Sequence, residues 1–271
     1  MTEPYANAPL VMVAMEVRFP LLPSQALRAA DRDLRSAVKP WLPLADSVTH
    51  TNFELGAGLS PPTVDRRRFP RFKSRDSTMA LVVKDSALVI ETTKYHGYSD
   101  FRETVERLIE VVSTELAPDG VTRVGLRFID EIRIPAVVSL PGDWRGYIAP
   151  ALLAAVDDEF LPEGVTAQAW QGVVSYGTGT DQTLILRYGP GDGYATDPDS
   201  DGARRQVRNP PGPYFLLDSD SSWTANNLVP EFETSMMIDV MDRLHGPVSS
   251  IFKAACTDTL RNIFDHEQGL A

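Results

Sequence analysis

Glu16-Val17-Arg18-Phe19-Pro20 and Glu131-Ile132-Arg133-Ile134-Pro135 match in residue type at every position. Each closes an apolar, alternating run that reads as a β-strand, Leu10–Phe19 in one case and Val121–Ile134 in the other. Proline lacks the N–H a ladder needs and ends both. The segments after the two strands also correspond. Ser24 can cap a helix to about Lys39 with Ala26, Leu27, Ala30, Leu34 and Val38 on its apolar stripe. In the second half a helix is predicted over roughly Trp144–Phe160, with Pro150 badly placed for a helix interior.

Strand-like segments come next in both halves. In the first they are Val48–Leu55, Phe69–Ser74, Thr78–Val83 and Ala87–Thr93, the last two joined by a Lys84-Asp85-Ser86 hairpin. In the second they are Ala167–Tyr176, Gln182–Tyr188 and Tyr214–Asp218, with a Gly/Pro/Asp-rich loop from Gly189 to Pro213 and a polar turn over Asp218–Ser222. Asp100 and Glu103 read as a capping box for a helix that runs to Leu116. The chain closes on helical runs Glu231–Leu244 and Val248–Phe264, with a kink or turn at His245-Gly246-Pro247. The expected fold is α+β: two pseudo-repeated β-α-β-β-β-α halves, 1–120 and 121–271, forming one extended antiparallel sheet with helices on one face. The second half carries the long loop 189–213 and the C-terminal helices.

Composition narrows the function classes. A hydrophobic fraction of 43% with 23% charged residues is that of a folded globular chain. One cysteine, Cys256, excludes an intrachain disulfide and a CxxC site, and a reducing, cytoplasmic setting is expected. Glu16 and Arg18 interrupt the first apolar run, so no signal peptide or membrane span is expected there. A net charge of −11 repels phosphate at long range and disfavours nucleic acid and anionic membrane as partners.

Few residues stand out as chemistry. Alternation puts Asp130 in the apolar row Val124, Leu126, Phe128, Ile132 and Ile134, where the first strand has Met15. A buried carboxylate must find a cation or hydrogen bonds or stay protonated, so Asp130 with Arg127 or Arg18 is the catalytic or small-ligand candidate. A bulge that turns it outward, or a structural ion pair, is the competing explanation. Arg66, Arg67, Arg68, Arg71, Lys73 and Arg75, interleaved with Phe69 and Phe72, are the candidate phosphate or nucleic-acid contacts, extended by Arg204, Arg205 and Arg208. Against that, charges on an edge strand also block aggregation. Asp197-Pro198-Asp199-Ser200-Asp201-Gly202 opens like a calcium loop, but Arg208 stands where the bidentate carboxylate belongs, so an acidic turn is expected. Gly189–Gly193 lacks the Lys-Ser/Thr of a phosphate loop and reads as a turn. His50, His96, His245 and His266 form no metal-spaced pair, and Cys256 reads as packing. No metal and no cofactor is expected.

Asn7-Ala8-Pro9-Leu10-Val11, Gly125-Leu126-Arg127-Phe128-Ile129-Asp130-Glu131-Ile132 and the stretch from Leu244-His245 to Phe252 resemble an uncharacterised, sporadically distributed bacterial family of about this length. Its members open on an N-A-P-L-V strand, carry a G-L-R-[FY]-[IV]-[ND] strand mid-chain and end on an L-H-x-x-[IV]-x-x-x-F helix. The family has no established activity, so the resemblance implies a shared fold and no catalytic residues. Its scattered occurrence resembles that of mobile-element or defence-associated genes, an association and not a mechanism.

These observations lead to a non-catalytic protein-binding or regulatory protein, in a defence or toxin–antitoxin type setting. The expected partner is another protein, and homo-oligomerisation stays open. Phe232, Met236, Met237, Val240, Met241 and Leu244 exceed one narrow helical stripe and pack in the core or against a second chain. An enzyme or ligand binder centred on Asp130 is the alternative, and nucleic-acid binding through residues 66–75 ranks below both.

Overall fold

Val13, Met15 and Val17 are fully buried along one face of β1 (Leu10–Arg18), as period-two alternation requires. The computed structural model describes residues 5, 7–54, 63–156, 160–199, 202–207 and 209–265, without the side chains of 24, 50–54 and 63–65. Of the positions singled out above, Ser200, Asp201, Arg208 and His266 lie outside the described residues, as do the side chains of Ser24 and His50. The elements after β1 are α1 (Ser24–Val38), β2 (Leu44–Glu54), β3 (Thr63–Lys73), β4 (Met79–Val83), β5 (Ala87–Thr92) and α2 (Tyr98–Leu116). Then come β6 (Arg123–Ile132), β7 (Gly172–Gly179), β8 (Gln182–Gly191), β9 (Tyr214–Thr224), α3 (Thr234–Ala255) and α4 (Asp258–Asp265).

The nine strands form one antiparallel sheet in the order β2-β3-β4-β5-β1-β6-β9-β8-β7. The fold is α+β. Buried residues of all four helices join the same core as Val13, Met15 and Val17 of β1 and Val124, Leu126 and Phe128 of β6. The helices therefore cover one face, where α1 packs on α2 and α3 lies over β6 and β9. Phe232, Met236, Met237, Val240, Met241 and Leu244 all pack in or against this core, and Phe232 meets the edge of Phe19 at 6.0 Å.

Several boundaries depart from expectation, each for a visible reason. No α-helix spans Trp144–Phe160. The short 3-10 turn Pro141–Trp144 leads into that stretch, and its described part makes two more, Pro150–Leu152 and Ala154–Val156. Prolines deny it continuous N–H donors, and its anchor is Trp144, fully buried with its ring 5.5 Å from Phe215. Four strands follow α1, so the first half departs from a strict β-α-β-β-β-α order as well. Asp100 sits within the first turn of α2, whose N-cap is Gly97, and no side chain caps it. The two C-terminal runs are one helix passing through Pro247, and the break falls at Cys256 instead. Leu244 and Val248, buried on either side of the proline, hold that continuity through tertiary packing.

The polar run Asp218–Ser222 is no turn. It lies inside β9 with ladder partners on both sides, where Ser219 and Ser221 are buried beneath α3. Gly189–Gly191 likewise extends β8 and pairs with Leu216, Phe215 and Tyr214, so the long loop begins at residue 192. That loop returns across the sheet face opposite the helices. The Ala203 N–H donates to Glu91 Oε1 at 2.7 Å, and a Cβ on Gly202 would stand 2.3 Å from the same oxygen, so a larger residue there would push the Glu91 carboxylate aside.

Candidate functional site

Asp130 lies on the helix-covered face of β6, where alternation placed it, and is only 6% exposed. A register shift between Leu10 and Met12 of β1 sets Leu10 opposite Asp130 and lets the Glu131 N–H donate to the Pro9 carbonyl at 2.8 Å. The irregularity does not turn Asp130 outward. No hydrogen bond from the described residues reaches its carboxyl. Burial foremost, and the charge of Asp218 second, push its pKa up to about 8. At neutral pH the group is predominantly a neutral acid.

Its neighbours come from distant segments. Tyr95, in the β5–α2 connection, has its hydroxyl pKa raised by burial and then by the Asp130 charge. The Tyr95 ring meets the edge of Phe128 at 6.1 Å, and Phe128 stands 5.9 Å from His245 of α3. His245 stacks on Tyr98 at 3.7 Å, and the Tyr98 hydroxyl donates to Asp242 Oδ1 at 2.7 Å. Burial lowers the basicity of His245 against the opposing pull of Asp242. Cys256 is driven up to about 12 by burial and then by Asp130, with Arg261 opposing. Around neutral pH these groups are therefore a protonated acid, protonated phenols, a protonated thiol and a neutral imidazole, none of them an activated nucleophile. Cys256, 3% exposed, is expected to resist iodoacetamide at pH 8 in the native protein and to react only on unfolding. Native-state alkylation at the rate of a free thiol contradicts this placement.

Neither arginine proposed for Asp130 reaches it. Arg127 points to the opposite face and grips Asp218 through two bonds of 2.8 Å, with Arg187 approaching the same carboxylate at 3.5 Å. Arg18 pairs with Arg123 in the ladder, seven residues from Asp130 along β6 or roughly 23 Å away. It donates instead to Glu16 Oε1 at 2.7 Å. The catalytic grouping expected from sequence is not assembled.

What the open face does assemble is a set of ion pairs running across the strands. Glu16 is held by Arg18 and by Arg123, whose Nη1 lies 2.7 Å away. Glu131, its side chain 1% exposed, accepts from Arg133 Nε at 2.8 Å, from both Nη atoms of Arg205, and from the Ala195 N–H at 2.8 Å. These contacts hold the Glu131 carboxyl below its usual range despite the opposing burial. Arg133 and Arg205 also flank the ring of Tyr194, at 5.9 and 5.5 Å. Arg205, expected as a phosphate ligand, is thus consumed in fastening loop 192–213. In the acidic turn Asp197 Oδ1 accepts from the Asp199 N–H at 3.0 Å, which makes a local turn. No cluster of metal-ligating side chains forms among the described residues.

The basic run divides by partner. Arg71 binds Asp46 through two bonds of 2.6 and 2.8 Å, Lys73 stands 3.6 Å from the same carboxylate, and Arg67 reaches Asp85 at 2.7 Å. Arg66 and Arg68 are exposed, and no carboxylate among the described residues pairs with them. Phe72 enters the main core, while Phe69 is buried elsewhere, as opposite faces of a strand require. No helix among the described residues is long and apolar enough to cross a membrane. No protein-family model matches the chain, and no curated protein matches it.

Proposed function

We propose that the chain is a non-catalytic binding protein that captures an extended segment of a partner protein on the free edge of β7. The observation that carries this reading is the character of that edge. Among the described residues β7 ends the sheet, pairs only with β8, and reads Gly-Val-Val-Ser-Tyr-Gly-Thr-Gly with no charge and no proline. Exposed edges are normally blunted by lysine, proline or cover, because their unpaired N–H and C=O groups recruit other strands. Here Val173 is 67% exposed and Tyr176 37%, which supplies apolar grips beside the backbone donors, as β-augmentation uses. Residues 121–271 hold eleven Lys and Arg against twenty-one Asp and Glu, which favours a segment flanked by cations.

A doubled ancestry belongs to the same proposal. The Glu-x-Arg motifs make equivalent bonds, Arg18 Nε to Glu16 at 2.7 Å and Arg133 Nε to Glu131 at 2.8 Å. In each half the last strand pairs with the first, β5 with β1 and β9 with β6. Glu16 and Glu131 stand 115 positions apart, and so do Val13 and Phe128, which face each other in the β1–β6 ladder. That is the register a two-fold axis between like halves would impose.

Selection of extended peptides from a displayed library against the purified protein tests the edge. Of two consecutive residues on an edge strand, one turns its N–H outward, so one of Val174→Pro and Ser175→Pro removes an outward donor and spares the β7–β8 ladder. Enriched peptides should carry Lys or Arg beside an apolar alternating run and should lose at least tenfold in affinity for one of the two variants. Binding unchanged in both variants with native circular dichroism, or no enrichment at all, discards the reading.

A further inference from the structure

β3 pairs with β2 along its whole length but with β4 only at Arg71, Phe72 and Lys73. Thr63–Pro70 therefore run as a two-stranded ribbon beyond the sheet, about 27 Å long at the usual rise per residue. Arg66 and Arg68 occupy one side of this ribbon. Arg68 also shares an open cleft of ≈ 340 Å³ with Arg28 of α1 and with Phe69 and Pro70. Asp31 and Asp46 are the carboxylates in its wall, and Asp46 is already neutralised by Arg71 and Lys73.

Charge is distributed very unevenly along this protein. From residue 24 to residue 75, the segment that makes α1 and the ribbon, ten Lys and Arg face five Asp and Glu. That stretch is net +5 in a chain of net −11, so everything else carries −16. Arg28, Arg32 and Arg35 are exposed on α1 with Asp31 and Asp33, Lys39 follows its end, and of these Arg28 and Asp31 line the cleft with Arg68. The acidic second half begins at β6, four strands from β3 and about 19 Å away at normal strand spacing. Physiological salt screens charge over about 8 Å. Of the −16 outside this stretch, −10 lies in residues 121–271 and is largely screened from a polyanion at the ribbon, while −6 lies in residues 1–23 and 76–120, which include the α2 that packs on α1, so the favourable field is confined to the ribbon and the adjoining flank of α1.

We propose that the β2–β3 ribbon and the flank of α1 form a docking surface for duplex nucleic acid, with Arg66, Arg68 and Arg28 contacting the phosphates. A two-stranded ribbon matches the width of the B-form major groove, and the exposed arginines on its side and on the flank of α1 supply cations for the phosphates. The surface lies at the end of the sheet opposite β7, so it is independent of peptide capture.

Fluorescence anisotropy with a labelled 20-base-pair duplex tests it, with polyglutamate as the competing polyanion. Binding should weaken with salt at a log–log slope of about −3 for three to four phosphate contacts. Arg66→Glu with Arg68→Glu should lower affinity at least tenfold at low salt and flatten the slope by about 2. The milder Arg66→Gln, Arg68→Gln pair should give a smaller loss in the same direction. Both sites are exposed, so the circular dichroism should not change. No duplex binding at low salt, binding unaffected by reversal, or equal competition by polyglutamate overturns the proposal.

Discussion

Asp130→Asn is expected to stabilise the protein by several kcal/mol at pH 8 and to change its stability little at pH 4. The sign comes from the raised pKa. An unfolded aspartate releases its proton near pH 4, whereas the folded Asp130 holds its proton up to about 8. Between those values the native state binds one more proton than the unfolded state, and stability falls by about 1.4 kcal/mol per pH unit. The contribution is fully present below the unfolded pKa and lost as pH rises through the folded one. Asparagine keeps the shape and removes the titration. Urea denaturation at pH 5, 6.5 and 8 measures the effect as a difference between wild type and variant. Asp46 and Glu131, both held below their usual range, act in the opposite sense only as the solution turns acid, and that part cancels in the difference. Parallel stability curves for the two proteins would falsify the assignment of Asp130 as a buried neutral acid.

Glu131→Ala should be the most damaging single change on the open face. It removes the counter-charge of Arg133 and Arg205, whose side chains are 10% and 11% exposed, and the acceptor of the Ala195 N–H. Breaking a buried ion pair from one side costs about 3–5 kcal/mol, because the charge left behind is unsolvated. Loop 192–213 should loosen locally before the sheet melts, since the Ala195 N–H and the Arg205 side chain both end on Glu131, beside the bonds of Ala203 to Glu91 and of Arg204 to Ser77 and Thr93. Hydrogen exchange should rise at Ala195 and through 202–205, and trypsin should cut after Arg205 in the variant under native conditions. Glu131→Gln, which retains an acceptor, should fall between. An unchanged melting temperature with an equally protected loop would show that the clamp carries no weight.

The paired motifs around Arg18 and Arg133 marked two central strands correctly because a sheet buried on one face imposes period two on its residues. The same alternation placed Asp130 among apolar neighbours, and the register shift at Leu10 does not undo it. The surroundings of Asp130 were not legible. Tyr95 comes from the β5–α2 connection and Cys256 from the end of α3, and no local spacing links either to β6. The arginines nearest to it in the strand lie on the other face, so proximity in sequence pointed to the wrong partners. Composition misread Asp218–Ser222 as a turn: serine and aspartate favour turns in isolation. In β9 they have ladder partners on both flanks, cations for Asp218 and Asp220, and a helix close above the small serines.

By itself the sequence determined the α+β class, the two motif-bearing strands and most helix faces, because those depend on periodic burial against any apolar neighbour. It also determined the net charge and the single thiol. Tertiary structure alone decided that Trp144 anchors 3-10 turns and not a helix, that α3 runs through Pro247, and that a polar run becomes a strand. It also decided which arginines of residues 66–75 are already paired and which remain exposed. Each of these depends on contacts between residues far apart in the chain, and such contacts outweigh local preferences of about a kcal/mol for most residues and about 3 kcal/mol for a proline inside a helix.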